Sequence, residues 1–240
     1  MGRAFEYRKA RKMARWGRMA VQFTRIGKEI AIAVKSAGAN PDTNARLRLA
    51  MQNARACNMP KANVEGAIKR ALSKDEKDYQ EVVYEGYGPY GIAFVIETAT
   101  DNPTRTVANM RTIFSKCGGA LGNSGSVDYM FDRKAFFTID PSGKNLEDLE
   151  LELIDAGLEE LAEEEGETYI QVAFNDFGAM QEALEKLGIP VISSEKERLP
   201  STYKEITDEQ RPDIEKLIDK LEDDEDVQAV FHNMKDNESE

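Results

Sequence analysis

The sequence predicts a multidomain α+β protein: an N-terminal helical bundle plus two interleaved α+β domains, the inserted one ferredoxin-like. Three observations predict it. Apolar residues recur at helical spacing from residue 20 to residue 72. Residues 134–198 then parse as β-α-β-β-α-β, which is the ferredoxin-like order. Beyond that unit a single helix and a single strand remain with no partner nearby in sequence, so they are expected to complete a sheet begun at residue 81. The predicted domains are 1–77, a discontinuous pair of segments 78–132 and 200–240, and the insertion 133–199. The 240 residues, 41% of them hydrophobic, exceed the commonest single-domain size of roughly 100–150 residues.

Phe23, Ile26, Ile30 and Val34 form one stripe of a helix over 20–37, with Arg25, Lys28 and Lys35 on a different face, and Gly38 ends it. Asn40-Pro41-Asp42-Thr43 starts a second helix, whose stripe is Leu47, Met51 and Ala54. Pro60, with no N–H to leave unpaired, opens a third that turns Val64, Ile68 and Leu72 inward. From Glu81 the pattern becomes two strands joined by the Gly/Pro turn Gly86 to Gly91. Asp101-Asn102-Pro103 caps a helix through Lys116, and Cys117-Gly118-Gly119 ends it. A further strand is expected at 126–131. The ferredoxin-like unit reads as strand 135–140, helix 145–156, strands 158–162 and 168–174, helix 176–187 and strand 191–196. A helix near 207–221 and the strand Val227 to His232 close the chain.

Charge is split sharply along the chain. Residues 1–74 hold 17 Lys and Arg against 4 Asp and Glu, a net of +13, while residues 75–240 hold 15 against 40, a net of −25. Such asymmetry points to a nucleic-acid partner for the basic end. No apolar run approaches the roughly 20 residues that cross a bilayer. The N-terminus lacks the apolar core of a secretory signal and the Ser content of a mitochondrial presequence. Cys57 and Cys117 stand alone, as reduced thiols do in a cytosol. A cytoplasmic protein without membrane contact is expected. His232 is the only histidine, which excludes multi-histidine metal sites and leaves a strand-end surface residue as the plain reading. No catalytic frame, metal or cofactor is predicted.

The candidate site follows from the cations. Arg3, Arg8, Lys9, Arg11, Lys12, Arg15 and Arg18 crowd the first 18 residues, and Arg8, Lys12 and Arg15 share a helix face. That spacing lets each cation meet a phosphate and release its condensed counterion. Phe5, Tyr7 and Trp16 lie among them, where they can stack on exposed bases. Arg25 and Lys28 extend the set. The competing reading is a solvated tail, or docking on the chain's own acidic body. Arg46, Arg48, Arg55, Lys61, Lys69 and Arg70 form a second cluster; Arg48, Arg55, Lys69 and Arg70 are secondary candidates, equally readable as solvated helix faces. Gly118 and Gly119 open a glycine-rich loop to Gly125 that can turn N–H groups toward an anion, although it lacks the Lys-Ser/Thr of a phosphate-binding loop. The acidic runs 159–167 and 222–226 lack calcium-loop spacing and read as solvated.

Several motifs, in order, carry a resemblance: Tyr84-Glu85-Gly86-Tyr87-Gly88-Pro89, Asp101-Asn102 with Arg105-Thr106-Val107, Phe114 to Gly119 with Leu121-Gly122, Gly125-Ser126-Val127, Ile206-Thr207, Leu221-Glu222-Asp223, Asp226-Val227-Gln228 and His232-Asn233. They resemble the YebC family over nearly the whole chain. The resemblance implies three domains, no known enzymatic activity, and a regulator. Bacterial members are described as transcriptional regulators that bind DNA, and others, including the mitochondrial translational activator of cytochrome c oxidase, act on the ribosome at difficult stretches such as proline runs. Departures from the family are the opening Gly2-Arg3-Ala4-Phe5-Glu6-Tyr7 in place of Gly-His-Ser-Lys-Trp, Tyr90 where glycine is frequent, and Pro103 within the Asp-Asn…Arg-Thr motif.

The expected function is a non-enzymatic, DNA-binding regulator of transcription with weak sequence specificity, since no base-reading module is evident. Two alternatives stay open: a ribosome-associated, rRNA-binding translation factor, and a protein-interaction adaptor. Oligomeric state is left open, a monomer being slightly favoured.

Overall fold

A computed structural model describes residues 19–73, 78–141, 143–164 and 166–235. Its first three helices are α1 (Met19–Ala37), α2 (Ala45–Ala56) and α3 (Lys61–Ala71). Their apolar stripes meet in one cluster built on Ile26, Ile30, Val34, Leu47, Ala54, Val64 and Ala67, whereas Leu72, expected to face inward, caps the end of α3 and is 63% exposed. Asn44 fixes the α1–α2 corner. It is 2% exposed, its side-chain oxygen caps Leu47 N at 3.0 Å, and its amide donates to Ala33 O and Gly38 O at 2.7 Å each. The helix thus starts at Ala45, two residues later than the Pro-Asp-Thr signal suggests, because the residue that satisfies the orphan N–H is Asn44.

The first sheet has the order β3-β1-β2-β8, from β1 (Gln80–Tyr87), β2 (Ala93–Thr100), β3 (Ala120–Leu121) and β8 (Val227–His232). Between its strands run α4 (Pro103–Lys116) and, far later, α7 (Arg211–Glu222). Residues 92–96 are continuously apolar because β2 is covered on both faces. Ile92, Phe94 and Ile96 pack on Met110, Phe114, Ile214, Leu217 and Leu221 of the two helices, while Ala93 and Val95 face Val127 and Phe131.

The second sheet has the order β5-β6-β4-β7 and is antiparallel throughout. It comprises β4 (Phe131–Ile139), α5 (Leu146–Leu153), β5 (Leu158–Glu164), β6 (Glu167–Ala173), α6 (Phe177–Lys186) and β7 (Val191–Pro200). The two helices cover one face through Leu149, Leu153, Met180 and Leu184. This is the ferredoxin-like arrangement expected from the order of elements.

Residues 126–130 are not a strand. A 3-10 turn occupies Asp128–Met130, and β4 then starts at Phe131, four residues before the expected Ala135. Val127 and Asp128 cannot join a ladder because their N–H groups bind Glu85, as described below. The early start lets Phe131 pair with Pro200, and Ser201 N donate to Met130 O at 2.9 Å. The strands entering and leaving the ferredoxin-like unit are therefore hydrogen-bonded to each other at its base.

Candidate nucleic-acid interface

Arg3, Arg8, Lys9, Arg11, Lys12, Arg15, Trp16 and Arg18 lie outside the described residues. The remaining candidates divide by the direction they face.

Arg25 and Lys28 face inward. Arg25 Nε donates to Val227 O at 2.9 Å and its NH2 to Glu222 O at 3.1 Å, which places a cation between the last carbonyl of α7 and the first of β8. Lys28 is 8% exposed. Its ammonium donates to Ala99 O at 2.9 Å, Glu225 O at 2.6 Å and Asp226 Oδ1 at 3.0 Å. Three bonds use all three of its donors. Neither side chain can reach a phosphate without leaving buried acceptors behind, so both leave the phosphate-binding set and become the clamp between α1 and the first sheet.

Asp226 is the centre of that clamp. Besides Lys28, it accepts from Arg105 NH2 at 2.7 Å, Thr106 Oγ1 at 2.8 Å and Thr100 Oγ1 at 3.2 Å. Burial alone would raise its pKa, but the bonds from Arg105, Lys28 and Thr106 outweigh it and bring the value down to about 2. The acidic run 222–226 thus ends in a buried residue, 4% exposed, rather than a solvated one. Spacing offered no cue to it, since a charged residue beside other charged residues looks the same whether or not a cation covers it.

Arg48 also turns to its own chain, donating to Pro41 O at 2.8 Å and to Glu185 Oε1 of α6 at 2.7 Å. Arg46 pairs with Glu81 at 2.6 Å, and Lys61 with Glu65 at 3.6 Å. Arg55, Lys69 and Arg70 are exposed, with no ion-pair or hydrogen-bond partner for their side chains among the described residues. Arg55 stands in the last turn of α2, and Lys69 and Arg70 in the last turn of α3. Of the cations on described residues named in advance, these three remain available to a phosphate chain.

The glycine-rich loop does hold an anion, and it is the protein's own. Glu85, 5% exposed on β1, accepts from Gly125 N at 2.7 Å, Val127 N at 2.8 Å and Asp128 N at 2.9 Å. Burial acts to raise its pKa, yet the three N–H bonds together with the nearby Arg198 charge hold it below the usual carboxylate range. The N–H groups of Gly118 and Gly119 are used as well, capping α4 through Ser115 O at 3.3 Å and Phe114 O at 2.9 Å. Gly119 has a steric reason to be glycine, since a Cβ there would sit 2.6 Å from Tyr87 O. An external phosphate finds no donors of this loop pointing toward it at these positions.

His232 ends β8 as expected but is buried, 6% exposed, with its ring 5.8 Å from that of Phe94. The expected surface histidine is instead part of the covered sheet: it pairs with Phe94 of β2, and the chain beyond it stays bound, Asn233 Oδ1 accepting from Ala93 N at 2.8 Å. A cleft of about 400 Å³ lies between α1, α2, β7 and β8. Glu29, Glu81, Glu97, Glu167, Glu195 and Glu222 line it against Arg25, Arg46 and Lys196, the wrong sign for a polyanion. Among the described residues no group of three or more His, Cys, Asp or Glu is placed to hold a metal ion, and no helix is long and apolar enough to cross a membrane.

Comparison with known proteins gives a consistent result over the full length. Residues 3–74 match the family described as the TACO1/YebC protein N-terminal domain, and residues 79–234 match the TACO1/YebC second and third domain. A protein of Parabacteroides distasonis named "probable transcriptional regulatory protein" is 58% identical over 100% of this chain and 99% of its own length. One of Myxococcus xanthus with the same name is 52% identical over 98% of this chain and 100% of its own. The crystal structure of a conserved hypothetical protein from Aquifex aeolicus superposes with a TM-score of 0.74 at 33% identity, covering 93% of each chain.

Proposed function

The chain belongs to the TACO1/YebC family, and on that premise we propose that it is a cytoplasmic, non-enzymatic regulator of gene expression that binds DNA through its basic N-terminal region. The observation that carries this reading is the charge split, +13 on residues 1–74 against −25 on residues 75–240. The contact set is Arg3, Arg8, Lys9, Arg11, Lys12, Arg15 and Arg18 with Trp16, extended by Arg55, Lys69 and Arg70. Arg25 and Lys28 contribute indirectly, by holding α1 against the first sheet. The acidic body repels duplex wherever the basic region is not aligned with it, which orients the molecule and limits its footprint. Domain boundaries at 1–77, 78–132 with 200–240, and 133–199 fit this division of labour, as does the relatives' name, and the contacts require no cofactor or metal.

Affinity for duplex DNA over a salt series tests the reading. The seven cations of the first 18 residues predict a log–log slope of about −6. Replacing Arg8, Lys12 and Arg15 with Ala should flatten the slope by about 2.7 and weaken all sequences alike. An unchanged affinity after removal of residues 1–18 overturns it. Density-gradient fractionation of lysate places the protein with the nucleoid if the target is DNA; migration with ribosomal particles would replace DNA with rRNA as the ligand.

A further inference from the structure

We propose a second nucleic-acid site at the tip of the first sheet, where the base of an unpaired nucleotide stacks on Tyr90 and its phosphate lies between Lys116 and Lys216. The proposal rests on the reading above, that the protein binds nucleic acid, and adds a specific preference for single strands.

Tyr90 sits in the turn between β1 and β2 with φ +59°, a left-handed conformation that glycine adopts freely and a tyrosine adopts at a cost. Such a cost persists where the surroundings fix it. Here Tyr90 Oη donates to Asp213 Oδ2 of α7 at 2.6 Å, which anchors the hydroxyl end of the ring while leaving 44% of the residue exposed. An anchored, part-exposed aromatic ring is thereby available for stacking.

Two cations share the hollow beside it. Lys116, the last residue of α4, and Lys216, one turn beyond Asp213 on α7, line it with Pro89, Cys117 and Gly118. Both lysines are exposed and have no carboxylate partner among the described residues, in a molecule where Lys28, Lys35, Lys134, Lys144 and Lys235 are each paired. Asp213 is the carboxylate lining the hollow, and it accepts the Tyr90 hydroxyl. Gly118 supplies a floor with no side chain; a Cβ there would meet nothing closer than Pro89 Cγ at 4.0 Å. An aromatic face with two unpaired ammonium groups alongside is the chemistry that grips a base together with its phosphate. A duplex hides its bases and gains nothing from the ring.

The full chain is titrated with an eight-nucleotide single strand and, as reference, with a hairpin duplex of equal charge. Tyr90→Gly removes the ring and relaxes the backbone, so the fold is not put at risk. Single-strand affinity should fall about tenfold, a typical loss for one stacked base, with duplex affinity unmoved. Lys116→Ala with Lys216→Ala should flatten the single-strand salt slope by about 1.4. If Tyr90→Gly leaves single-strand binding intact, or weakens duplex and single strand equally, the site is overturned. Should these variants bind like the intact chain while Arg8, Lys12 and Arg15→Ala weakens binding and flattens the salt slope, the site fails and the function stands. If the intact chain binds neither polymer, the function fails as well.

Discussion

Two groups of cations on the helical domain look alike in the sequence and have opposite fates. Lys28 and Arg25 project from the polar side of α1, as Lys69 and Arg70 do from α3, yet the first pair is enclosed by the carbonyls of residues 99, 222, 225 and 227 and the second pair reaches solvent. Periodicity separates an apolar face from a polar one. It carries no information on whether a polar face is later covered by another part of the chain. A buried cation needs acceptors more than apolar neighbours, and here, Asp226 apart, those acceptors are main-chain carbonyls, whose identity no side chain announces.

The contrast can be broken experimentally. The largest effect is expected from Lys28→Ala, which leaves Asp226 and two carbonyls buried with a donor missing. A loss of about 3–5 kcal/mol of folding stability is expected by denaturant titration. A variant that folds normally but flattens the DNA salt slope would move Lys28 to the outward class. Glu85→Gln comes next: it removes the charge from an acceptor of three N–H groups, with an expected loss of about 2 kcal/mol and faster hydrogen exchange at Gly125, Val127 and Asp128. Unaltered exchange at those amides would deny the loop its anchor.

Acid sharpens the same comparison. Asp226 has its folded pKa depressed to about 2, below the ordinary value of about 3.9. Its contribution, about 2 kcal/mol, is thus complete above roughly pH 4–5 and disappears as pH falls toward 2. Asp226→Asn should flatten stability against pH across that window, and a parallel curve would show that other carboxylates govern acid unfolding. The smallest effect on stability belongs to Arg55→Ala, Lys69→Ala and Arg70→Ala together, within about 0.5 kcal/mol per site. The same triple change should flatten the duplex salt slope by about 2.7, and a fall in stability without a change in slope would place these residues in the structural class.

Element types were legible wherever periodicity was long: α1, the ferredoxin-like unit and β8 fall within a few residues of their expected bounds. The return of α7 and β8 to the first sheet was legible because nothing adjacent could pair with them. Apart from the start of α2, set locally by Asn44, and the exposed Leu72, what sequence missed shares one cause, a contact between residues far apart. Residues 126–130 have strand-like composition, but Glu85, some 40 positions earlier, takes two of their N–H groups. His232 reads as an exposed strand end until Asn233 folds back on Ala93, 140 positions away. Tyr90 stands out in the sequence of the turn, whereas its neighbours Lys116 and Lys216 come together only through the packing of α4 and α7.

The paired base of the ferredoxin-like unit has a mechanical meaning. Two separate tethers would let that unit swivel like a pendulum on loose strings. The Phe131–Pro200 pairing makes them a ribbon, stiffened by Arg198, which donates to Glu97 on β2 at 2.9 Å and to Asp128 at the ribbon's foot. Torque applied to the far end of the unit is therefore delivered to β2 as twist, so a partner pulling there would be felt at the centre of the first sheet.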